Sequence, residues 1–334
     1  MRYRNVNAGD DAGERRPIVC NLRFFGPREP DPAKDNKGEA VLRVPGILAA
    51  ICGRPTLPNI FIIHVMKTGG TSVREALAGL YPTNRCLFDA SLRVDLQPRS
   101  AIASPCFVAG HRFAWQAFEP RFDDFIKLVV LRDPLERFTS HYRHLRWLKA
   151  QGYSPSPDIE AAATCGVREF FDSPCGRLLR HLSLWQLGLD RGEYSVQVKS
   201  QLEDLRRGRH PPFDVLAARA KARLDRCFVA LQEELPLSMR LFSSAMLGSR
   251  HLVAERLNET PPEFGDGSER LSPGDVARMR EELEPDYEVY RHACRLFRKQ
   301  LAAADLAARA TVDRPVGSPV PQPAIALAGE RFSL

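Results

Sequence analysis

Four short apolar runs constrain the fold of this chain more than any other feature. They are NIFIIHV (59–65), CFVAGH (106–111), KLVVLR (127–132) and CFVAL (227–231). A strand with one wet face alternates apolar and polar residues. These runs are instead nearly continuous, the pattern of strands covered on both faces of a parallel sheet. Helical spacing separates them. Leu135, Phe138, Tyr142, Leu145 and Leu148 trace one apolar stripe, and Asp133-Pro134 ahead of it reads as an N-cap with proline at the first helical position. Further helices are expected over 71–80, 177–187, 214–225, 232–247 and 272–305. Strands alternating with helices predict an α/β fold, a P-loop-like parallel sheet flanked by helices on both faces. Ligands of such sheets sit beyond the carboxyl ends of the strands.

These patterns are confined to residues 57–306 of the 334, which form the expected domain. Residues 1–56 are rich in charge, Gly and Pro and read as an N-terminal extension, partly irregular. Residues 307–334 read as a Pro-rich C-terminal tail, which cannot sustain a helix.

The first strand runs into HVMKTGGTS (64–72) and out into the helical pattern VREALAGLY. A strand, a glycine-rich turn and a helix make a phosphate cradle. Backbone N–H groups converge at the helix N-terminus, and the helix dipole favours an anion. Gly69 and Gly70 allow close approach of the backbone, Thr68, Thr71 and Ser72 add hydroxyls, and Lys67 adds a full charge able to sit over a bridging oxygen. The plainer alternative is an ordinary strand–helix turn with a threonine cap. The usual NTP-binding loop places its lysine after the glycines; here Lys67 precedes them. At the end of LVVLRD, Arg132 stands beside Asp133, and an arginine there suits an anion better than a metal cation. The turn therefore points to a phosphate-bearing donor handled without metal.

Eight histidines offer candidate bases. His111 follows Gly110 at the end of the second apolar run, on the same sheet edge as the glycine turn. It is the expected general base, the alternative being a cap for the next helix. His64, inside the first run, reads as a core residue; His141 and His144 lack a third ligand nearby for a metal. Trp147 and Trp185 suit core packing or stacking on a sugar ring.

Together HVMKTGGTS and LRDPLERFTSHYRH (131–144) resemble the sulfotransferases of the heparan sulfate 2-O- and 6-O-sulfotransferase type and their bacterial relatives, which use 3′-phosphoadenosine 5′-phosphosulfate (PAPS). The resemblance continues through FVALQEELPLSMRLF (228–242), LNETP (257–261) and DYEVYRHACRLF (286–297), covering roughly 57–300. It implies that Lys67 stabilises the leaving phosphate, that Thr68, Gly69, Gly70, Thr71 and Ser72 form the 5′-phosphosulfate cradle, and that Arg132 and Ser140 grip the 3′-phosphate. It places Asn258 and Thr260 in a loop over the nucleotide, His144 against the substrate, and the base at the Gly110-His111 position. Met66 stands where the family often has proline and Ala109 where the 2-O enzymes have a further histidine, so the acceptor is not inherited from the resemblance.

The composition agrees with such a reading. Hydrophobic residues make up 44% and charged residues 27%, ordinary for a globular chain. The formal charge of +7 favours anionic partners, but 48 basic residues are interspersed with 41 acidic ones and no long basic run is present, so nucleic acid is not expected. None of the eight cysteines forms a CxxC pair, and the N-terminus MRYRNVNAGDDAGERRP lacks an apolar segment. VPGILAAIC is too short to cross a bilayer. Reduced thiols, a cytoplasmic location and no transmembrane segment are the corresponding expectations. The expected activity is transfer of a sulfuryl group from PAPS, without metal, to a hydroxyl on a saccharide or glycosylated metabolite, with His111 as base and Lys67 at the leaving group. The competing readings are a nucleotide-dependent kinase, against which the position of Lys67 counts, and a nucleotide-binding module without catalysis, against which Lys67 and His111 count.

Overall fold

The computed structural model describes residues 57–88, 104–111, 114–153, 156–191, 193, 205, 208–247, 252, 254, 260–261, 264 and 271–312. Five strands, β1 (Ile60–His64), β2 (Cys86–Phe88), β3 (Phe107–Gly110), β4 (Ile126–Leu131) and β5 (Phe228–Leu231), form one sheet in the order β2-β3-β1-β4-β5. Every pairing is parallel, with Ile62 level with Ala109 on one side and Leu128 on the other. All of β1, β3 and β5 and all but the first residue of β4 are buried, as the unbroken apolar runs require. The half-buried β2 is too short to leave a pattern.

The strand order creates a crevice. After β1 the chain turns toward β2, beyond β3; after β4 it turns the other way, to β5. The carboxyl ends of β1 and β4 are thus the switch point, where the connecting segments diverge and leave room for a ligand.

Helices flank the sheet. They are α1 (Gly70–Ala78), α2 (Ala114–Ala117), α3 (Pro134–Ala150), α4 (Pro157–Thr164), α5 (Val167–Asp172), α6 (Pro174–Arg180), α7 (Leu182–Gly188), α8 (Phe213–Leu224), α9 (Leu235–Met246), α10 (Pro273–Glu282) and α11 (Glu284–Val312). α11 runs past the boundary expected at 306. Four helices start with a small polar cap followed by proline. Asp133 accepts from Leu135 and Glu136 N–H, Ser156 from Ile159, Ser173 from Gly176 and Ser272 from Asp275. The cap satisfies orphan donors, and proline, which has none, is already in helical φ. The stripe on α3 is buried as expected; Leu135, Phe138, Tyr142, Leu145 and Leu148 pack on Phe170, Phe171, Met279 and Leu283 in a second core beside the sheet. Burying each such side chain contributes about 1.5–3 kcal/mol.

One expectation is corrected. Cys175 on α6 is disulfide-bonded. The expectation of reduced thiols rested on a missing secretory signal, which bears on the compartment and not on which sulfurs the fold brings together. Cys86, Cys106, Cys165, Cys227 and Cys294 are free thiols, and burial pushes Cys227 up to about 12, which makes it inert. No helix among the described residues is long and apolar enough to cross a membrane.

The helix expected over 177–187 is broken at His181 into α6 and α7, and two distant side chains hold the break. Arg137, fully buried on α3, donates through Nη2 to the carbonyls of Leu179 and Arg180 at 2.7 Å each, capping the end of α6. Asp286 of α11 accepts from the Leu184 N–H at 3.3 Å, capping α7, whose own N-cap residue supplies no side-chain bond. Its other oxygen meets His181 Nδ1 at 2.7 Å. Asp286→Ala strips both acceptors from a buried pair, and removing one member of such a pair typically costs about 3–5 kcal/mol. The urea midpoint should fall accordingly with an unchanged slope; a loss below about 1 kcal/mol would mean that the break is held by other contacts.

Candidate anion site at the switch point

The turn after β1 is built for close approach. Lys67 adopts φ +64°, and Gly69, the N-cap of α1, adopts φ +83°. Such values suit glycine and are strained for lysine. A Cβ on Gly69 would meet Gln232 Cγ at 3.2 Å. A Cβ on Gly70 would lie 2.1 Å from the His64 ring, so this second glycine makes room for an imidazole. The Thr68 hydroxyl donates to the Val65 carbonyl at 2.8 Å and ties the turn. Its proton is therefore spent inside the protein and not offered to a ligand. α1 has no side-chain cap and no acidic residue in its first turn, so its leading N–H groups keep their anion-attracting character. Thr71 is half-buried and Ser72 buried in that turn.

Across the crevice, Arg132 follows β4 directly. Glu136 lies 3.5 Å from its guanidinium and offsets part of its charge, while its Nε is buried without a hydrogen-bond partner. Ser140 stands in the second turn of α3, with Arg143 and His144 three and four residues further on and hence on the same face. Lys67 has no ion pair or hydrogen bond among the described residues. Burial, then the charges of Arg132 and Arg143, pulls its ammonium down to about 8. Burial and Lys67 hold His144 down to about 3. His141, buried with Nδ1 unbonded, is pushed well below the ordinary imidazole range by burial, with Arg137, His144, Lys67 and His111 adding to it. The structure thus brings Lys67, Arg132, His144 and His111 into one electrostatic neighbourhood, to which the sequence reading had not assigned Arg143. Its spacing from Ser140 in SHYRH was the available signal. Cations lower one another when no anion separates them; Glu136 stands at Arg132, while the charges acting on Lys67 are both positive.

His111 reaches the same place from β3. Its Nδ1 lies 3.0 Å from the His64 carbonyl, and its ring lies 4.2 Å from the His64 ring. A carbonyl only accepts, so Nδ1 carries the proton and the neutral ring has its lone pair on Nε2. Gln186 on α7 donates to the same carbonyl at 3.2 Å, a contact with no signature in the sequence. His64 is a buried core residue, as expected, held neutral by burial and by His111, Arg74 and Lys67. Trp147 stacks on His144 at 5.4 Å, whereas Trp185 is buried elsewhere. Asn258 lies outside the described residues; the Thr260 hydroxyl is buried without a hydrogen-bond partner. Among the described residues no three His, Cys, Asp or Glu side chains gather as metal ligands would.

Comparison of the sequence with protein-family models and with curated proteins returned no match.

The depressed ammonium sets the pH dependence of anion binding. An anion beside Lys67 raises its pKa, so binding takes up protons from about pH 8 upward, and affinity falls as pH rises through 8. Calorimetry of pyrophosphate binding at pH 8 in buffers of different ionisation enthalpy should show uptake of up to about half a proton. Lys67→Met should abolish it; uptake that survives the substitution would place the proton elsewhere.

Proposed function

We propose that this chain is a PAPS-dependent sulfotransferase acting on a hydroxyl, of a saccharide or a glycosylated metabolite. The observation that carries the proposal is the half-buried cluster of cations at the β1/β4 switch point, in which Lys67 has no ion pair among the described residues, with His111 hydrogen-bonded through Nδ1 beside it. The resemblance of HVMKTGGTS and LRDPLERFTSHYRH to sulfotransferases supplies the nucleotide. The residues suit such a donor. The uncapped α1 N-terminus and Lys67 suit a 5′-phosphosulfate, and Arg132 with Ser140, on the other wall, suits a 3′-phosphate. Arg143, on the Ser140 face, adds a second guanidinium there.

Bound PAPS supplies the sulfuryl group: the acceptor oxygen bonds to sulfur as the bridging S–O bond breaks, leaving a sulfate ester and adenosine 3′,5′-bisphosphate. His111 takes the acceptor proton on Nε2, while its Nδ1–H stays on the His64 carbonyl and keeps the ring oriented. Lys67 meets the charge that grows on the bridging oxygen, in a site where burial strengthens the interaction. His144, held near 3, is a poor proton acceptor at neutral pH and suits substrate contact better than the base role. The kinase alternative is disfavoured by the position of Lys67, which precedes the glycines where the NTP-binding loop places its lysine after them.

Labelled PAPS incubated with glycans and metabolites should yield a sulfated product by mass spectrometry. On that acceptor His111→Ala should lower kcat by about 10²–10⁴-fold, with affinity for adenosine 3′,5′-bisphosphate little changed. A folded variant with near-normal kcat would remove His111 from the chemistry.

A further inference from the structure

A cavity of about 610 Å³ lies apart from the cation cluster, walled by Arg177, Arg180, His181, Trp185, His210 and Phe213. None of these belongs to the anion site. Its volume is in the range of pockets that enclose small molecules.

Four rings make a continuous wall. His210 stacks on Phe213 at 4.7 Å and 25°, Trp185 lies 4.9 Å from His210 and 5.7 Å from Phe213, and His181 lies 4.7 Å from Phe213. Their polar handles point back into the protein. Trp185 Nε1 donates to the Leu178 carbonyl at 3.1 Å, His210 Nδ1 to the Pro211 carbonyl at 2.7 Å, and His181 Nδ1 meets Asp286 at 2.7 Å. With those atoms spent inside the protein, the half-buried rings of His210 and Phe213, backed by Trp185 and His181, form the aromatic part of the wall.

Positive charge stands beside that surface. Arg180 shares its charge with Glu282, yet its Nε is buried with no hydrogen-bond partner. Arg177 is exposed and makes no ion pair among the described residues. A neutral aromatic ligand would leave the Arg177 guanidinium unused, and a small aliphatic anion would leave the rings unused. We propose that this cavity binds a planar aromatic anion, its ring against His210, Phe213 and Trp185 and its anionic group on Arg177, with the Glu282-paired Arg180 beside it. The same helix serves both places: Trp185 lines the cavity, and the next residue, Gln186, donates to the carbonyl that orients His111. The inference does not depend on sulfuryl transfer.

The test is calorimetric titration of the full chain with 2-naphthoate and its neutral isostere 2-naphthamide. Naphthoate should bind at least about tenfold more tightly, the worth of one charge-assisted hydrogen bond. Arg177→Ala should bring the two within about twofold, leaving naphthamide binding and adenosine 3′,5′-bisphosphate affinity unchanged, while His210→Ala should weaken both aromatic ligands. Saturating adenosine 3′,5′-bisphosphate should not displace naphthoate. Equal binding of acid and amide, a preference that survives Arg177→Ala, displacement by the nucleotide, or no binding of naphthoate at millimolar concentration would each overturn the assignment. None of these outcomes bears on whether PAPS is the donor.

Discussion

A half-buried ammonium facing two guanidinium groups is the constraint on which the site depends. Moving Lys67 from its usual value to about 8 corresponds to about 3 kcal/mol against its charged form. The sign follows from the linkage: the unfolded chain keeps the Lys67 proton up to about 10.5, the folded one only to about 8, so stability rises with pH across that window and is reduced below it. Surface ion pairs such as Arg74–Glu75 contribute a fraction of a kcal/mol and do not offset this. A bound anion does, because it restores the charged form. The strain at Lys67, whose φ is positive, points the same way: backbone strain persists where the surroundings over-determine it.

The fold carries this cost by placing the charge where the sheet opens. β1 and β4 are adjacent and central, their connections diverge, and the segments that follow them carry Lys67 and Arg132. Behind them α3 is anchored at both levels. Asp133 caps it and receives the Tyr287 hydroxyl at 3.0 Å, and Arg137 ties its second turn to the end of α6. The helix that presents Ser140, Arg143 and His144, and that begins just after Arg132, is thereby fixed relative to the turn that presents Lys67. His111 is fixed from a third strand through a backbone carbonyl, which no side-chain substitution at His64 removes.

Much of this was legible in the sequence because it is local. The four apolar runs became β1, β3, β4 and β5 to within a residue or two at each end, since burial on both faces leaves an unbroken pattern. Asp133-Pro134 marked the start of α3; the same polar-then-proline signal stands before α4 and α6 at Ser156-Pro157 and Ser173-Pro174 but was not used, so α4 was missed and the start of α6 was placed three residues late. What was not legible is non-local. The break at His181 depends on Arg137 and Asp286, brought from α3 and α11, and the split of 272–305 falls at Leu283, whose side chain is buried in the second core. In the site, Lys67 and Gly69 announced themselves, while the inward turn of the Thr68 hydroxyl and the contact of Gln186 with the His64 carbonyl needed coordinates.

The central claim is that the crevice holds two anionic groups at once, one at the α1 N-terminus with Lys67 and one at Arg132 with Ser140. Calorimetric titration with adenosine 3′,5′-bisphosphate beside adenosine 5′-monophosphate measures this directly, since the two ligands differ by the second phosphate alone. The account predicts that the bisphosphate binds at least about tenfold more tightly, the worth of one charge-assisted contact of about 1.5–3 kcal/mol. It also predicts that Arg132→Ala removes most of that difference. Equal affinity for the two nucleotides would contradict it.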